Sequence, residues 1–250
     1  MPKHHTEALA FAVTDGVSFD ASTMLRLVKP DSDGWMLVLV AEPAPAAEWP
    51  GFDAVALALD VCCDAWSDQP RQVIDAELLS CFAVVHRTLR SEREAFGSGG
   101  DEEGLIGLTA VAVSPDAAIV VQSQPGRVML VSAAGVQAMP AWPEWGADPG
   151  GSAGGALGGG TARRPGVRHW ETQPGDMLVT CDAWTARSTR DLESRGRAVI
   201  GALPDLSSEA ALDVLLVAAA HSGQHTAYGV VIPLGQLPGD MTVATAQPHA

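Results

Sequence analysis

Chemistry in this chain would have to come from a small set of side chains. Asp15, Asp20 and Glu42 are acids near the N-terminus that, if gathered, would hold one divalent ion weakly. Left apart, they would be ordinary solvated loop carboxylates. His221 and His225 stand four apart, a spacing able to bind zinc, but Ser-Gly-Gln lies between them and the glutamate of an HExxH site is missing. A solvated helix terminus is the expectation there, and His4-His5 is expected to be inert. Ser222 lies beside His221 without a GxSxG elbow, so a Ser/His/Asp hydrolase is not expected. Cys62, Cys63, Cys81 and Cys181 sit in apolar runs without CxxC spacing, which implies buried free thiols rather than a disulfide or a zinc site. Trp49, Trp142 and Trp145 stand in Pro-rich segments, EWPG and AWPEWG, where they would either cover the core or anchor a protein partner.

The elements that must position these groups are organised around Gly107–Met139. Three short apolar runs, 109–113, 118–121 and 128–131, and a weaker fourth, 136–139, are separated by Ser-Pro-Asp, Gln-Pro-Gly and Ala-Gly. Proline at the second turn position and polar side chains that bond back to the backbone suit tight turns. Runs this short and rich in Val and Ile predict an antiparallel meander inside one buried sheet. Before it, 9–13 and 24–28 predict strands, and 35–41 a central strand ended by Glu42-Pro43-Ala44-Pro45, where two prolines oppose both helix and pairing. Two helices follow, over 53–66 and 72–93. The second shows Val73, Ala76, Leu79, Ala83 and His86 at 3–4 spacing. A mobile loop is expected over 97–104. Residues 146–160, GADPGGSAGGALGGG, lack the strand-to-helix setting and the Gly-Lys-Ser/Thr ending of a phosphate loop, so a flexible surface flap is expected. A strand over 177–181, helices over 191–200 and 207–220, and a strand over 228–234 complete the chain. The helices are grouped rather than alternating with strands, which argues for α+β.

The length of 250 residues and a hydrophobic content of 47% permit a substantial core. Thirty acids against fifteen bases give a net charge of −15, a surface that repels phosphate backbones and anionic lipid. Nucleic acid and membrane are therefore not expected partners. The N-terminal residues lack a signal-peptide core and no run approaches a membrane span, which places the chain in the cytoplasm as an expectation.

From Leu9 to Leu234 the sequence resembles the PPM, or PP2C-like, metal-dependent Ser/Thr phosphatases of the compact bacterial type. Residues 35–41 resemble the strand that carries the family's V-A-D-G-M-G-G motif, and Gly107-Leu108-Thr109 the G-T-T opening of its meander. Residues 121–130 resemble A-H-V-G-D-S-R-A-Y-L, with Arg127 on the arginine, and 154–158 are similar to the flap's R-A-L-G. Residues 174–181 resemble P-G-D-x-x-L-L-C-S-D-G-L, and 218–232 the closing A-x-x-x-G-x-x-D-N-x-T-V-V-V-V. The resemblance implies a four-layer α-β-β-α sandwich of two antiparallel sheets flanked by helices. It implies one domain over 1–236 with the flap inserted around 146–166, and a flexible tail over 237–250.

The departures fall on the acids. Where the family's D-G binds both metals, this chain has Glu42-Pro43; G-D-S-R becomes Gln124-Pro125-Gly126-Arg127, and D-N becomes Thr226-Ala227. Ala183 falls on the second metal aspartate. Asp182 reaches that position only with a shift of one residue, and unshifted it is expected to point away from the site. The phosphate-binding R-x-x-N-E-D motif is absent, and Arg26 comes too late to replace it. Two-metal hydrolysis needs hard oxygen ligands holding ions about 3.5–4 Å apart. Alanine and threonine cannot supply them. The expectation is a catalytically degenerate PP2C-like domain, without bound metal, that serves as a protein-binding or regulatory module. Glu42, Asp182 and Arg127 would be vestiges of the old site, and Trp49, Trp142 and Trp145 partner-binding candidates, with a homodimer possible. The alternative is a weakly active phosphatase that binds Mn or Mg through Glu42 and Asp182.

Overall fold

The computed structural model describes residues 8–14, 17–18, 20–29, 31–43, 53–67, 72–95, 106–123, 126–139, 156–159, 164–197, 199–221, 226–235 and 244–245. Two sheets face each other. The first runs β12 (Ala244–Thr245), β1 (Leu9–Thr14), β11 (Thr226–Pro233), β10 (Met177–Cys181), β7 (Arg127–Ser132), β8 (Gly135–Met139), with β2 (Val17–Ser18) folded back on β1. The second runs β3 (Leu25–Val28), β4 (Met36–Pro43), β5 (Ile106–Val113), β6 (Ala117–Ser123), β9 (Gly166–Glu171). Within each sheet these neighbours pair antiparallel, except that β12 lies parallel to β1.

Strand alternation sorts the apolar side chains into three cores. In β4, Met36, Val38 and Val40 point between the sheets, where they meet Val111, Val120, Leu130, Leu178 and Val230. Leu37, Leu39 and Ala41 point outward to α1 (Ala54–Ser67) and α2 (Ile74–Ala95). On the first sheet, Phe11, Met129, Val179 and Val231 point outward to a helical layer of α3 (Ala183–Ser194) and α4 (Ser208–His221). The result is the four-layer α-β-β-α sandwich, an α+β fold.

Several sequence expectations need correction. The meander does not stay in one sheet: β5 and β6 belong to the second sheet, β7 and β8 to the first, so the chain crosses between sheets after Ser123. Proline did not end β4 early. Glu42 and Pro43 pair with Gly107 and Ile106, because Pro43 is the last residue and needs no ladder N–H of its own. The buried stripe of α2 is Ile74, Leu78, Cys81, Phe82, Val85 and Leu89, while Val73, Ala76 and Ala83 are exposed. The stronger hydrophobes set the face, and the alanines followed the same spacing by accident. Strand β9 was not anticipated, since Arg168, His169 and Glu171 give an edge strand a polar composition. Helix α3 spans 183–194 rather than 191–200. Tail residues 244 and 245 pair with β1, and the 97–104 loop, Asp15, Ser222 and His225 lie outside the described residues.

Part of the Gly-rich stretch is anchored. Ile106 donates to Leu157 at 3.1 Å and Leu157 returns the bond at 2.7 Å, while the Gly158 N–H donates to His86 Nδ1 at 3.1 Å. Burial, reinforced by Arg90, Arg87 and Arg93, holds the His86 imidazole below its ordinary pKa of 6.5. A lowered folded pKa means the bond contributes fully above the unfolded value and is lost as pH falls through the folded one. His86→Ala should speed amide exchange at Gly158 about fivefold, the equivalent of one neutral hydrogen bond. In the wild type that protection should fade below pH 6.5, whereas His86→Asn, whose amide oxygen can accept but not titrate, should keep it. Hydrogen exchange across a pH series reads both outcomes.

Candidate functional site

One end of the inter-sheet core is polar. Residues of inward parity there are Glu42 on β4, Thr109 on β5, Gln122 on β6, Thr180 on β10 and Tyr228 on β11, with Asp182 just beyond β10. Glu42, Thr109, Gln122, Thr180 and Asp182 are all buried. Gln122 Nε2 donates to Thr109 Oγ1 at 3.0 Å and to the Gly126 carbonyl, tying the crossing segment to the second sheet. Gly126 is required by this closeness. A Cβ there would lie 2.8 Å from Glu42 Oε1, 3.2 Å from the Cys181 carbonyl and 3.3 Å from Thr109 Oγ1.

Asp182 faces inward, contrary to the expectation that it would point away. β10 presents Leu178 to the inter-sheet core and Cys181 to the outer helices, so the next residue has inward parity. It is the N-cap of α3. Its Oδ1 accepts from Trp184 N at 2.8 Å and Thr185 N at 3.0 Å; its Oδ2 accepts from Tyr228 N at 2.9 Å and from the Thr185 hydroxyl. Both oxygens are occupied by donors of this chain, the use a helix N-terminus makes of an aspartate. Glu42 reaches across from the other sheet, and its Oε2 accepts from Ala183 N at 3.2 Å. Tyr228 closes the layer, its hydroxyl donating to the Ala41 carbonyl at 3.3 Å.

Two buried carboxyls thus share one helix start. Burial, with the charge of Asp182 second, pushes the Glu42 carboxyl well above its ordinary 4.5, and the Ala183 N–H only partly opposes this. Burial also raises Asp182, against bonds from Thr185, Tyr228 and Trp184 that favour its charged form. The asymmetry ranks the pair: Asp182, with four donors, is the better held as an anion, and Glu42, with one, is the more strongly pushed toward its neutral form.

The other sequence candidates fall elsewhere. Arg127 is fully buried with outward parity, beside Cys181 and within the fields of Arg190 and Glu193 on α3; burial lowers its pKa to about 10. It belongs to the layer beneath α3. Asp20 is exposed and caps a 3-10 turn through Ser22 N at 2.9 Å, and Arg26 pairs with Asp60 at 3.0 Å on the surface. The carboxylate cluster of Asp15, Asp20 and Glu42 is therefore not assembled from Asp20. Trp49, Trp142 and Trp145 lie outside the described residues, as does the His221 side chain. Cys62, Cys81 and Cys181 are buried free thiols and Cys63 is half-buried. Sequence reasoning missed Gln122, Thr109 and Tyr228. Polar residues inside apolar runs, at the same end of each strand, were the available signal.

Glu42→Ala should cost about 2–4 kcal/mol, from a buried cavity and an orphaned Ala183 N–H. Asp182→Ala should cost more, since it strands several donors at once. Glu42→Gln keeps the shape without the ionisation. Because the folded pKa of Glu42 is raised, its favourable contribution is complete below 4.5 and lost as pH rises through the folded value. The melting-temperature difference between Glu42→Gln and wild type should therefore move in favour of the glutamine variant as pH rises from 4.5. Thermal melts over a pH series test this; a pH-independent difference would refute the raised Glu42 pKa.

No protein-family profile matches the sequence, and no curated protein matches it either. Solved structures do match. A bacterial serine phosphatase aligns with TM-score 0.69 at 12% identity over 95% of this chain and 100% of its own. PppA, a key regulatory component of the type VI secretion system in Pseudomonas aeruginosa, aligns with TM-score 0.60 at 14% identity over 91% and 97%. The catalytic domain of the Ser/Thr phosphatase PstP in complex with two manganese ions aligns with TM-score 0.59 at 16% identity over 91% and 98%. At these identities the likeness is one of fold: the chain has the PP2C-like architecture.

Proposed function

We propose that this chain, built on the PP2C-like phosphatase fold, is a catalytically degenerate domain that acts as a protein-binding or regulatory module. The observation that carries the reading is the state of its two inward carboxyls. A pair of manganese ions, of the kind the PstP structure holds, needs several free carboxylate oxygens converging on each ion. Asp182 has both oxygens engaged by four donors, and Glu42 has one engaged by Ala183 N. Among the described residues no three His, Cys, Asp or Glu side chains gather as a ligand set. The partial positive charge of the α3 N-terminus also occupies the place beside both carboxyls and opposes a cation there. The residues present do not fit the dinuclear centre.

The removal of ligands has not loosened the end of the sandwich. Glu42, Asp182 and Tyr228 instead bond the two sheets to each other and to α3. A scaffold held this way retains its surfaces, which suits a domain whose work is recognition. Among the described residues no helix is long and apolar enough to cross a membrane. The charge of −15 favours soluble protein partners over nucleic acid.

Calorimetric titration with Mn²⁺ or Mg²⁺ should give no saturable heat in the micromolar range. Hydrolysis of p-nitrophenyl phosphate should equal the buffer rate, with Glu42→Ala and Asp182→Ala protein indistinguishable from wild type. Saturable metal binding with turnover that either substitution abolishes would establish a divergent phosphatase instead.

A further inference from the structure

We infer that the solvent face of α3 is a docking surface for an acidic segment of a partner protein, an inference that rests on the binding-module reading and adds the partner's chemistry. Arg187, Arg190, Arg195 and Arg197 supply four of the chain's fifteen basic residues within 187–197. All four are exposed. At 3.6 residues per turn, Arg187, Arg190, Asp191, Ser194 and Arg195 fall within an arc of about 140°. The opposite face, Thr185, Ala186, Ser188, Thr189 and Leu192, is buried. Arg187, Arg190 and Arg195 are thus displayed on one side of an anchored helix, and Arg197 follows just beyond its end.

Among the described residues, Arg187, Arg195 and Arg197 form no ion pair with an acid. Asp182 is buried as the cap of the helix. The Glu193 carboxylate accepts from Ile200 N at 2.7 Å and Gly201 N at 3.0 Å, which holds it against the following turn. Asp191 alone is an exposed acid on the face. Half-buried Trp184 extends the same side, with the Arg187 guanidinium 5.5 Å from its ring centroid. An aromatic plate beneath an arginine is pre-ordered for contact, because the stacked guanidinium loses less freedom when it binds a carboxylate.

Net charge argues against a basic patch by accident of composition, since acids outnumber bases two to one in this chain. Screening at physiological ionic strength acts over about 8 Å, so a docking segment senses the local arginines rather than the distant acids. A second copy of this chain is the poorer occupant. It brings the whole negative surface with it, whereas a short acidic segment brings carboxylates alone. The neighbouring helix α4 exposes Glu209 and Asp213, which would confine an acidic segment to α3.

The test uses the full chain and a fluorescent peptide of alternating Glu and Asp with Gly spacers, against the matching Gln/Asn peptide. Anisotropy at physiological salt should give saturable binding of the acidic peptide only. R187E/R195E/R197E should weaken it by about tenfold or more, while R87E/R90E/R93E on α2 should leave it within about twofold. If the charge-reversed protein fails to fold, R187Q/R195Q/R197Q, judged by circular dichroism, carries the same expectation at smaller size. No saturable binding, equal loss in the α2 variant, or tighter binding of a single-stranded oligonucleotide than of the peptide would each overturn the inference. None of these results depends on metal binding or turnover, so they leave the degenerate-site reading standing or falling on its own experiment.

Discussion

The start of α3 carries two demands at once. Its first N–H groups have no partners within the helix, and two carboxyls are buried between the sheets. Each demand answers the other. Asp182 takes Trp184 and Thr185 from its own helix and Tyr228 from the adjacent strand, while Glu42 comes from the opposite sheet to take Ala183. A buried acid without such donors would cost several kcal/mol. With them, the acids become the clasp that fixes how the two sheets meet at this end.

Much of the surrounding geometry follows from that clasp. Gly126 lies beside Glu42, where a Cβ would come within 2.8 Å of Glu42 Oε1. Gln122 then bonds the crossing backbone to Thr109, so the polar layer extends over both sheets without exposing any of it. On the far side of the first sheet, Arg127 and Cys181 lie under α3, where burial depresses the one group and raises the other. The same helix is therefore capped from within and packed from below, with its outer face exposed among the described residues.

These features connect the fold to the reading of its function. The structures of similar architecture include proteins described as phosphatases, one of them in complex with manganese. Here the inward acids are satisfied by backbone amides rather than left open to ions. The positive end of a helix dipole does for Asp182 and Glu42 part of what a cation would do. Among the described residues, the outer side of α3 carries exposed Arg187, Arg190 and Arg195.

The apolar runs at 35–41, 109–113, 118–121 and 177–181 were legible because strand alternation and local turn chemistry act over a few residues. So were the two long helices, whose type and order follow from 3–4 spacing. The cysteines as thiols and the α+β class were equally local inferences. The sequence determined which residues could be buried and roughly where each element lies. It could not determine that β6 and β7 sit in different sheets, because both strands have the same apolar character on each face. Nor could it choose which stripe of α2 turns inward, since small alanines and large aliphatics share the spacing. The side to which Asp182 points depends on where β10 ends and α3 begins, a boundary decided by the amides and the opposing Glu42 that tertiary contact brings together. Sequence separation hides that meeting, since the two residues lie 140 positions apart, 182 minus 42. Only the closed sandwich makes them neighbours.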